Sequence, residues 1–503
     1  MRLPFGPVLL ALALASCHGS ELNSAPAAGG IWIRDVTVVS PERTEPLAHA
    51  HVLVRDGRIV RVDTSAPPEA AGLTIVEGAG RWLVPGLIDG HVHLAEVPGL
   101  LPAEAARHPE LEASYLRQLP RSYLYFGFTA VVDLNVVDRA TLESLRKAPL
   151  GPAIFDCGNG LALANGYPMS FLPPKDRLAA YPNFLYDPRQ AKDIPPNYRP
   201  DDHTPAAAVD RVAAGGGICV KSYWESGFGP VSGKLPTPTE EMMRDVVAAS
   251  HRHHLPVLLH ANSLAAHRFA AATRVDAVAH GMWNWAVSPT AGDGLPVLPD
   301  DVRRVLDDER AAGMGYMATM RVIGGLGDLF ADRFLDDPAL AKVYPAALLA
   351  WYKTDEGHWF ARETAEDFDG LPTERIQQLF QGTENRGRAA AAYVVAQGGR
   401  LLFGSDTPSA PTYANPPGYN SYLEMVELER AGIAPGRILE AATRANAQFF
   451  GLAGDDGTIE PGKKASLLLL RADPLASVTA FNTLETVILP SGQIVPRADL
   501  AAR

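Results

Sequence analysis

Three polar side chains stand where short apolar runs end, at positions where they could perform chemistry together. His91 and His93 close the run Leu87–His93, and Asp406 follows another apolar run. Because successive side chains of a strand point to opposite faces, His91 and His93 share one face. Two imidazoles with this spacing can bind one metal ion, and a carboxylate can add a ligand or exchange a proton. The alternative role for Asp406 is the N-cap of a helix.

Two further histidines end apolar runs of their own. His260 closes Val257–His260, and His280 closes Asp276–His280. A single histidine at a strand end is more often a hydrogen-bonded structural residue than a metal ligand. When two strands of one parallel barrel each end in histidine, however, the side chains converge on the same mouth. We therefore interpret the pair as metal ligands.

Lys221 follows the apolar residues Gly217–Val220, where a charged ammonium group is costly to bury. A protonated amine offers a metal ion only hydrogen-bond donors. Reaction of the amine with CO2 would give a carbamate, an anion whose two oxygens can bridge two metal ions. The carbamate, Asp406 and a bridging hydroxide would then offset most of the charge of two divalent cations. The alternative is a free Lys221 that binds a substrate carboxylate beside a single metal ion.

The elements that must position these residues follow a strand-then-helix pattern. Short apolar runs occur at Leu87–His93, Phe128–Leu134, Ala153–Cys157, Ile218–Tyr223, Val257–His260, Asp276–His280, Met314–Ala318 and Leu401–Gly404. Helix-like segments separate most of them, for example Thr239–His253 and Asp300–Ala312. Eight such units predict an α/β fold of the (β/α)8 TIM barrel type, whose active site lies at the carboxyl ends of the strands.

Both ends of the chain instead show short β-like runs separated by turns, such as Ile31–Val39 and Ser466–Arg471. Their pairing would give a small composite β-sandwich domain. The predicted domains are a signal peptide with a lipobox over 1–17, a tether over 18–30, the two parts of the composite β domain over 31–84 and 454–503, and the barrel over 85–453. Insertions near 168–205 and 324–376 are long enough to be pocket walls or lids.

The composition and the N-terminal sequence restrict partners and location. A net charge of −12 argues against nucleic acid as a partner, because phosphate binding needs a basic surface. The segment Leu14–Cys17 resembles a bacterial lipobox, and His18 after it favours the outer membrane over inner-membrane retention. We therefore expect an exported, periplasm-facing lipoprotein whose membrane contact is a lipid anchor at Cys17. The alternative is an ordinary signal peptide cleaved nearby. Cys157 and Cys219 lie in predicted buried strands, where we expect them to be unpaired apolar fillers.

The motifs around these positions resemble those of the amidohydrolase superfamily over about Ile31 to Leu489. They are Leu87–His93, Val220-Lys221, Leu259–Ala261, Ala279–Gly281, Gly404–Thr407 and Gly457–Ala465. Within the superfamily, the pattern with a bridging lysine resembles imidazolonepropionase-like proteins and Xaa-Pro dipeptidases. Three segments depart from the usual pattern: Asn165–Tyr167, where Gly-Gly-His is frequent; Ala261-Asn262, where Ala-His is common; and Ala465-Ser466, where Ala-Asp is usual.

The resemblance implies a metal-dependent hydrolase that binds two divalent ions. His91, His93 and Asp406 would hold the more buried ion, and His260 and His280 the second. A CO2-derived carbamate on Lys221 would bridge both, and zinc suits the imidazole and carboxylate ligands well. A metal-bridging hydroxide would attack the substrate carbonyl. Asp406 would act as general base and then as general acid.

Substrate contacts are less defined by the sequence. Tyr223 shares the inward face of its strand with Lys221 and could donate a hydrogen bond to the oxyanion, although ordinary packing is the alternative. Trp283 and Trp285 could wall an apolar pocket or pack elsewhere. Arg321 could pair with a substrate carboxylate, but a structural ion pair is the more natural role.

The function expected from these residues is hydrolysis of a C–N bond in an amide, cyclic amide or short peptide. The alternatives within enzymes are an Xaa-Pro-type dipeptidase and a lactone or ester hydrolase. Outside enzymes, the alternative is an exported binding protein that has lost turnover, and the presence of Asp406 beside all the other ligand positions argues against it.

Overall fold

The structure is a computed structural model that describes residues 29–67, 71–228, 232–286, 295–331, 333–408 and 411–503. The predicted signal peptide, the lipobox cysteine Cys17 and nearly all of the tether therefore lie outside the described residues. Within these ranges, no helix has both the length and the apolar character needed to cross a membrane.

The strands divide between a sheet made from the chain ends and the central parallel strands. They are β1 (Ile31–Val38), β2 (Leu47–Arg55), β3 (Arg58–Asp63), β4 (Thr74–Glu77), β5 (Trp82–Pro85), β6 (Leu87–Val92), β7 (Phe128–Asp133), β8 (Ala153–Asp156), β9 (Val220–Tyr223), β10 (Val257–His260), β11 (Ala277–Val278), β12 (Gly315–Met317), β13 (Arg400–Leu402), β14 (Leu467–Leu470), β15 (Leu484–Ile488) and β16 (Ile494–Pro496).

Helices lie between the parallel strands and in the two long insertions. They are α1 (Pro102–Arg107), α2 (Pro109–Tyr125), α3 (Arg139–Arg146), α4 (Arg177–Ala180), α5 (Pro205–Ala214), α6 (Glu240–Arg252), α7 (Leu264–Thr273), α8 (Asp300–Ala311), α9 (Met320–Gly324), α10 (Leu340–Val343), α11 (Ala346–Tyr352), α12 (Trp359–Asp367), α13 (Thr373–Ala396), α14 (Tyr419–Arg430), α15 (Pro435–Glu440) and α16 (Asn446–Phe449).

Hydroxyl side chains set the starts of three consecutive helices around the parallel strands. Thr204, Thr239 and Ser263 precede α5, α6 and α7, and each accepts a hydrogen bond from a backbone N–H in the first turn. Such caps satisfy amide groups that have no partner within the helix. The predicted helix Thr239–His253 therefore appears as α6, with Thr239 and His253 as its two caps.

Strands from both chain ends form one hydrogen-bonded sheet in the order β16-β15-β14-β5-β1-β2-β3, with β4 beside β1. The two ends meet where β14 pairs antiparallel with β5, placing Leu468 opposite Val84. Alternating buried residues on one face, such as Ile33 and Val52, build its apolar core. The chain enters β6 through Gly86, whose position allows no side chain because an added Cβ would lie 1.9 Å from Thr129 Oγ1.

The eight central strands are all parallel, which gives a TIM-barrel-like α/β arrangement. They form a three-stranded sheet β6-β7-β8 and a five-stranded sheet β9-β10-β11-β12-β13. Isolated parallel bridges connect the sheets at both edges, Val92 with Thr407 and Leu161 with Ser222. Every residue of β6, β7, β9 and β10 is buried, as expected for parallel strands covered on both faces.

Cys157 and Cys219 form a disulfide, so the expectation of unpaired cysteines is wrong. Cys157 follows β8 and Cys219 precedes β9. Next to the two cysteines, the N–H of Ile218 donates a hydrogen bond to the carbonyl of Asp156. This places the two Cα atoms 4.5 Å apart, within the range that a disulfide spans. The bond therefore links the two sheets at an edge where they share few hydrogen bonds.

Both predicted insertions contain short helices rather than long loops. Residues 168–205 include α4 and three 3-10 helices, and residues 324–376 include α10, α11 and α12. The second insertion packs on the loop that follows His93: Tyr352 donates a hydrogen bond to the Pro98 carbonyl and Trp359 donates to that of Gly99. This insertion therefore borders the edge at which the predicted ligands lie.

Candidate active site

The predicted ligands all lie at or near the carboxyl ends of the parallel strands. His91 lies in β6 with His93 just after it, Lys221 lies in β9, His260 ends β10, His280 follows β11, and Asp406 follows β13. A contiguous set of contacts joins them.

Asp406 stands at the centre of this set. Its Oδ1 lies 2.8 Å from His93 Nε2 and 3.1 Å from His91 Nε2, and its Oδ2 lies 3.9 Å from His280 Nδ1. One ligand atom from each of His91, His280 and Asp406 lies within 4.8 Å of the others. This spacing matches a group of atoms that could converge on one cation.

The backbone of Asp406 is fixed in an unusual conformation. Its φ of 57° is in the left-handed region, which is uncommon for residues other than glycine. The Asp406 N–H donates to the His91 carbonyl at 2.8 Å, and the His93 N–H donates to the Thr407 carbonyl at 3.2 Å. These hydrogen bonds hold the carboxylate against His91 and His93.

His260 and Lys221 complete the set on its other side. The His260 ring lies 4.4 Å from that of His280, and Lys221 Nζ lies 3.4 Å from His91 Nε2. Lys221 is 1% exposed and has no ion pair among the described residues. Burial lowers the pKa of its amine to about 7, so much of it is neutral near neutral pH.

Burial and the Asp406 carboxylate together set the charges of the imidazoles. It lowers the pKa of His91 to about 3 and also lowers the pKa values of His260 and His280. Although burial disfavours charge on His93, its hydrogen bond to Asp406 raises its pKa to about 9. Burial likewise opposes charge on Asp406, yet the adjacent His91 and His93 hold its pKa well below the usual value.

This donor set suits a divalent metal ion. His91, His260 and His280 are neutral and Asp406 is ionised, and neutral imidazole nitrogens with a carboxylate are ligands that zinc prefers in proteins. A bound metal ion would displace the proton that His93 carries. His93 Nδ1 is buried without a hydrogen-bond partner among the described residues. A buried amine with a lowered pKa adds a group that can become an anionic ligand after reaction with CO2. The residues present therefore fit the metal site that the sequence predicts.

Hydrogen bonds to outer groups orient two of the histidines. His91 Nδ1 lies 3.1 Å from the Ala279 carbonyl, an acceptor, so this nitrogen bears a proton. His280 Nδ1 lies 2.9 Å from the Thr319 hydroxyl, and Thr319 has a left-handed φ of 43°. Such partners fix the ring orientation of metal-ligating histidines.

Asp89 connects the strands that carry His91 and Asp406. Its Oδ1 accepts hydrogen bonds from the backbone N–H groups of His91 and Ser405, and its Oδ2 accepts from the hydroxyls of Ser405 and Ser421. Burial outweighs these bonds and raises its pKa to about 6. Asp89 is therefore a fully buried cross-brace: its hydrogen bonds hold together the two chain segments that carry His91 and Asp406.

Three residues near the site are given no role by the sequence, although Tyr167 stands in a segment that departs from the usual pattern. Glu225 lies 3.8 Å from His260 Nε2 and accepts a hydrogen bond from Asn262, Thr319 contacts His280, and the Tyr167 ring packs on that of His260. Glu225 has a signal in the sequence, because it continues the alternation that begins with Lys221 and Tyr223. Thr319 and Tyr167 lie in loops, where no periodicity indicates their neighbours.

The predicted pocket residues have different outcomes. Tyr223 lies beside the site, with its ring centroid 5.7 Å from Lys221 Nζ and its buried hydroxyl without a partner among the described residues. Trp283 contacts His280 with ring centroids 5.4 Å apart, whereas Trp285 is buried and donates to the Met282 carbonyl. Arg321 forms ion pairs with carboxylates on neighbouring elements, which is the structural role named as its alternative.

Comparisons with known proteins agree with this geometry. The sequence matches the Amidohydrolase family over residues 82–280 and 374–495. Imidazolonepropionase of Cupriavidus metallidurans is 26% identical over 264 residues, which cover 48% of this chain and 60% of that protein. Adenine deaminase of Oleidesulfovibrio alaskensis is 39% identical over 93 residues, which cover 18% of this chain and 15% of that protein. The chain thus matches less than two thirds of the length of either relative.

A solved structure extends the similarity over nearly the whole chain. A Xaa-Pro dipeptidase with bound methionine in the active site aligns with a TM-score of 0.63 and 17% identity. The alignment covers 93% of this chain and 100% of that one. At this identity the likeness supports the fold alone.

The role of Asp89 as a cross-brace is testable with two substitutions. Asp89→Ala leaves the backbone donors of His91 and Ser405 without their acceptor, so we expect a loss of about 3 kcal/mol in unfolding free energy. Asp89→Asn can keep its oxygen on those N–H groups while the serine hydroxyls rotate to accept, so we expect a loss of roughly 1 kcal/mol. Urea unfolding of both variants measures the difference. Equal losses in the two variants would contradict the assigned hydrogen bonds.

Proposed function

This chain belongs to the amidohydrolase family, and from that premise we propose that it is a metal-dependent hydrolase of C–N bonds in amides, cyclic amides or short peptides. The observation that carries the proposal is the convergence of the donor atoms of His91, His280 and Asp406 beside a buried amine, at the carboxyl ends of parallel strands. Active sites of barrel enzymes lie at that edge.

We propose that the site holds two ions. His91, His93 and Asp406 would hold one, His260 and His280 the other, and a carbamate on Lys221 would bridge them. Zinc suits these ligands best. When bound, the ions supply Lewis acidity that activates water and polarises the substrate carbonyl.

Asp406 is placed to move the proton in this reaction. Its carboxylate is ionised, since the adjacent imidazoles hold its pKa well below the usual value. An ionised carboxylate can accept the proton of the attacking water and donate it to the leaving nitrogen. The Tyr223 hydroxyl, which has no partner among the described residues, is available to donate to the developing oxyanion. Trp283 packs on His280 and keeps bulk water away from that ligand.

The environment of Lys221 supports formation of the carbamate. The neutral amine nitrogen attacks the carbon of CO2, forms an N–C bond and releases one proton, leaving an anionic carbamate. Only the neutral amine can react, and burial brings the pKa of Lys221 to about 7. An ordinary lysine, with a pKa near 10.4, would be almost entirely protonated.

We also propose that the parallel strands close into a (β/α)8 barrel. The sheet formed by strands from both chain ends would belong to a small composite domain. The bridges between Val92 and Thr407 and between Leu161 and Ser222 support closure. The antiparallel pairing of β5 with β14 supports the composite domain. A crystal structure with a gap between β8 and β9 would contradict closure.

The activity is testable with zinc-loaded protein and a panel of amides, cyclic amides, dipeptides and esters. We expect hydrolysis of at least one C–N substrate, loss of activity on chelation, and recovery with zinc. Asp406→Asn should lower kcat by about 10²- to 10⁴-fold because it removes the proton carrier.

The matched control is Asp245→Asn, an exposed aspartate on α6, which should keep full activity. If metal-loaded protein hydrolyses nothing in the panel, the chain is a binding protein. If only esters or lactones react, the alternative ester hydrolase is correct.

Lys221→Ala tests the bridging carbamate. We expect metal content to fall from nearly two ions per chain to one or fewer, with loss of activity, because the bridging anion is gone. Acetate, formate or propionate should partly restore both by occupying the vacated space. Exposed Lys147→Ala is the control and should change neither quantity. A wild-type content near one ion, unaffected by bicarbonate, would favour a free lysine beside a single metal.

We further propose export to the bacterial periplasm with an outer-membrane lipid anchor at Cys17. The disulfide between Cys157 and Cys219 supports an oxidising compartment. In bacteria fed radiolabelled palmitate, the protein should carry the label in the membrane fraction. Cys17→Ala should lose the label, and Ser20→Ala should retain it. Unlabelled wild-type protein in the soluble periplasmic fraction would support a cleaved signal peptide without an anchor.

A further inference from the structure

One face of His260 is covered by an aromatic ring. The ring centroids of Tyr167 and His260 lie 4.4 Å apart with an interplanar angle of 34°. Tyr167 lies in the connection between β8 and β9, outside the strands that carry the predicted ligands. It therefore brings the wall of the first insertion into direct contact with the candidate metal site.

Two solvent-exposed phenylalanines pack on the same tyrosine. Phe171 is 71% exposed and Phe228 is 38% exposed, and their rings meet Tyr167 edge-on at 5.6 and 5.8 Å. We name these three residues the aromatic entrance. Clustered exposed apolar side chains of this kind often mark a ligand-binding surface. Here they form a continuous path of rings from solvent to His260.

The local structure holds Tyr167 in place. Its ring meets that of Tyr223 edge-on at 5.7 Å. On either side of it, the Gly166 N–H donates to the Leu163 carbonyl, and the Ser170 N–H donates to the Gly166 carbonyl. A ring fixed in this way loses little freedom when a ligand packs on it.

The aromatic entrance presents rings and no charged side chain to a ligand. An aromatic or bulky apolar group would gain ring contacts there and lose exposure to water.

We propose that the aromatic entrance binds an aromatic or bulky apolar group of the substrate, and that Tyr167 is the residue that selects it. The inference rests on the proposed hydrolase function and names its substrate class: amides or short peptides with such a group close to the scissile bond. Tyr167 then acts through the ring that it presents rather than through its hydroxyl.

Two phosphonates that differ by a phenyl group test the inference by binding rather than turnover. Benzylphosphonate and methylphosphonate are titrated into zinc-loaded full-length protein by calorimetry. We expect wild type to bind benzylphosphonate about tenfold more tightly, the affinity ratio that corresponds to about 1.4 kcal/mol. Tyr167→Ala should reduce the preference to within about twofold. Tyr167→Phe, which keeps the ring, should retain it.

Further variants guard against misfolding and indirect effects. Phe171→Ala and Phe228→Ala truncate exposed side chains and should each weaken the preference about twofold to threefold. Leu379→Ala is the matched control, since Leu379 has the same 38% exposure as Phe228, and it should keep the full preference.

The outcomes separate this inference from the proposed function. Equal affinity of wild type for the two phosphonates, or an unchanged preference in Tyr167→Ala, would overturn the aromatic entrance and leave the hydrolase proposal standing. Absence of benzylphosphonate binding would likewise overturn the aromatic entrance. If the zinc-loaded protein hydrolyses nothing in the substrate panel, the proposed function is overturned, and this inference falls with it.

Discussion

The structure depends on placing an ionised carboxylate among buried imidazoles. A charge taken out of water is costly unless neighbouring groups offset it, and Asp406 has His91 and His93 within hydrogen-bonding distance. Each stabilising group must itself be held in place. Asp89 braces the two strands beneath the site, and hydrogen bonds from outside orient the rings of His91 and His280. The polar network is therefore continuous from the ligands into the strands, and the geometry of the site follows from the fold around it.

The fold serves this constraint by bringing distant parts of the chain to one edge. Parallel strands collect the ends of β6, β9, β10, β11 and β13, so residues far apart in sequence become neighbours. The two parallel sheets share few hydrogen bonds between β8 and β9. A disulfide joins the two strands there, close to Lys221. Around the edge, the insertions bring in side chains that contact the ligands or the loop beside them, which makes them the elements best placed to determine the substrate.

The sequence indicates the side chains that the structure brings together, because strand-end polar residues after apolar runs are conspicuous. His260, Lys221 and Asp406 lie where that pattern places them. The sequence predicts less where strand register or the course of a loop decides which side chains become neighbours. The pairing of Cys157 with Cys219 follows from the alignment of two strands that single runs do not encode. The stacking of Tyr167 on His260 depends on the course of an irregular connection. Strand lengths are also overestimated: β11 covers only Ala277–Val278, so His280 lies beyond the strand rather than in it.

The central claim is that these six side chains hold two cations joined by a modified lysine. Anomalous diffraction from zinc-loaded crystals grown with bicarbonate tests it most directly. The account predicts two anomalous peaks, one beside His91, His93 and Asp406 and the other beside His260 and His280, with extra density extending from Lys221 Nζ to both. A single peak beside an unmodified Lys221 amine, or ions bound away from these residues, would contradict it.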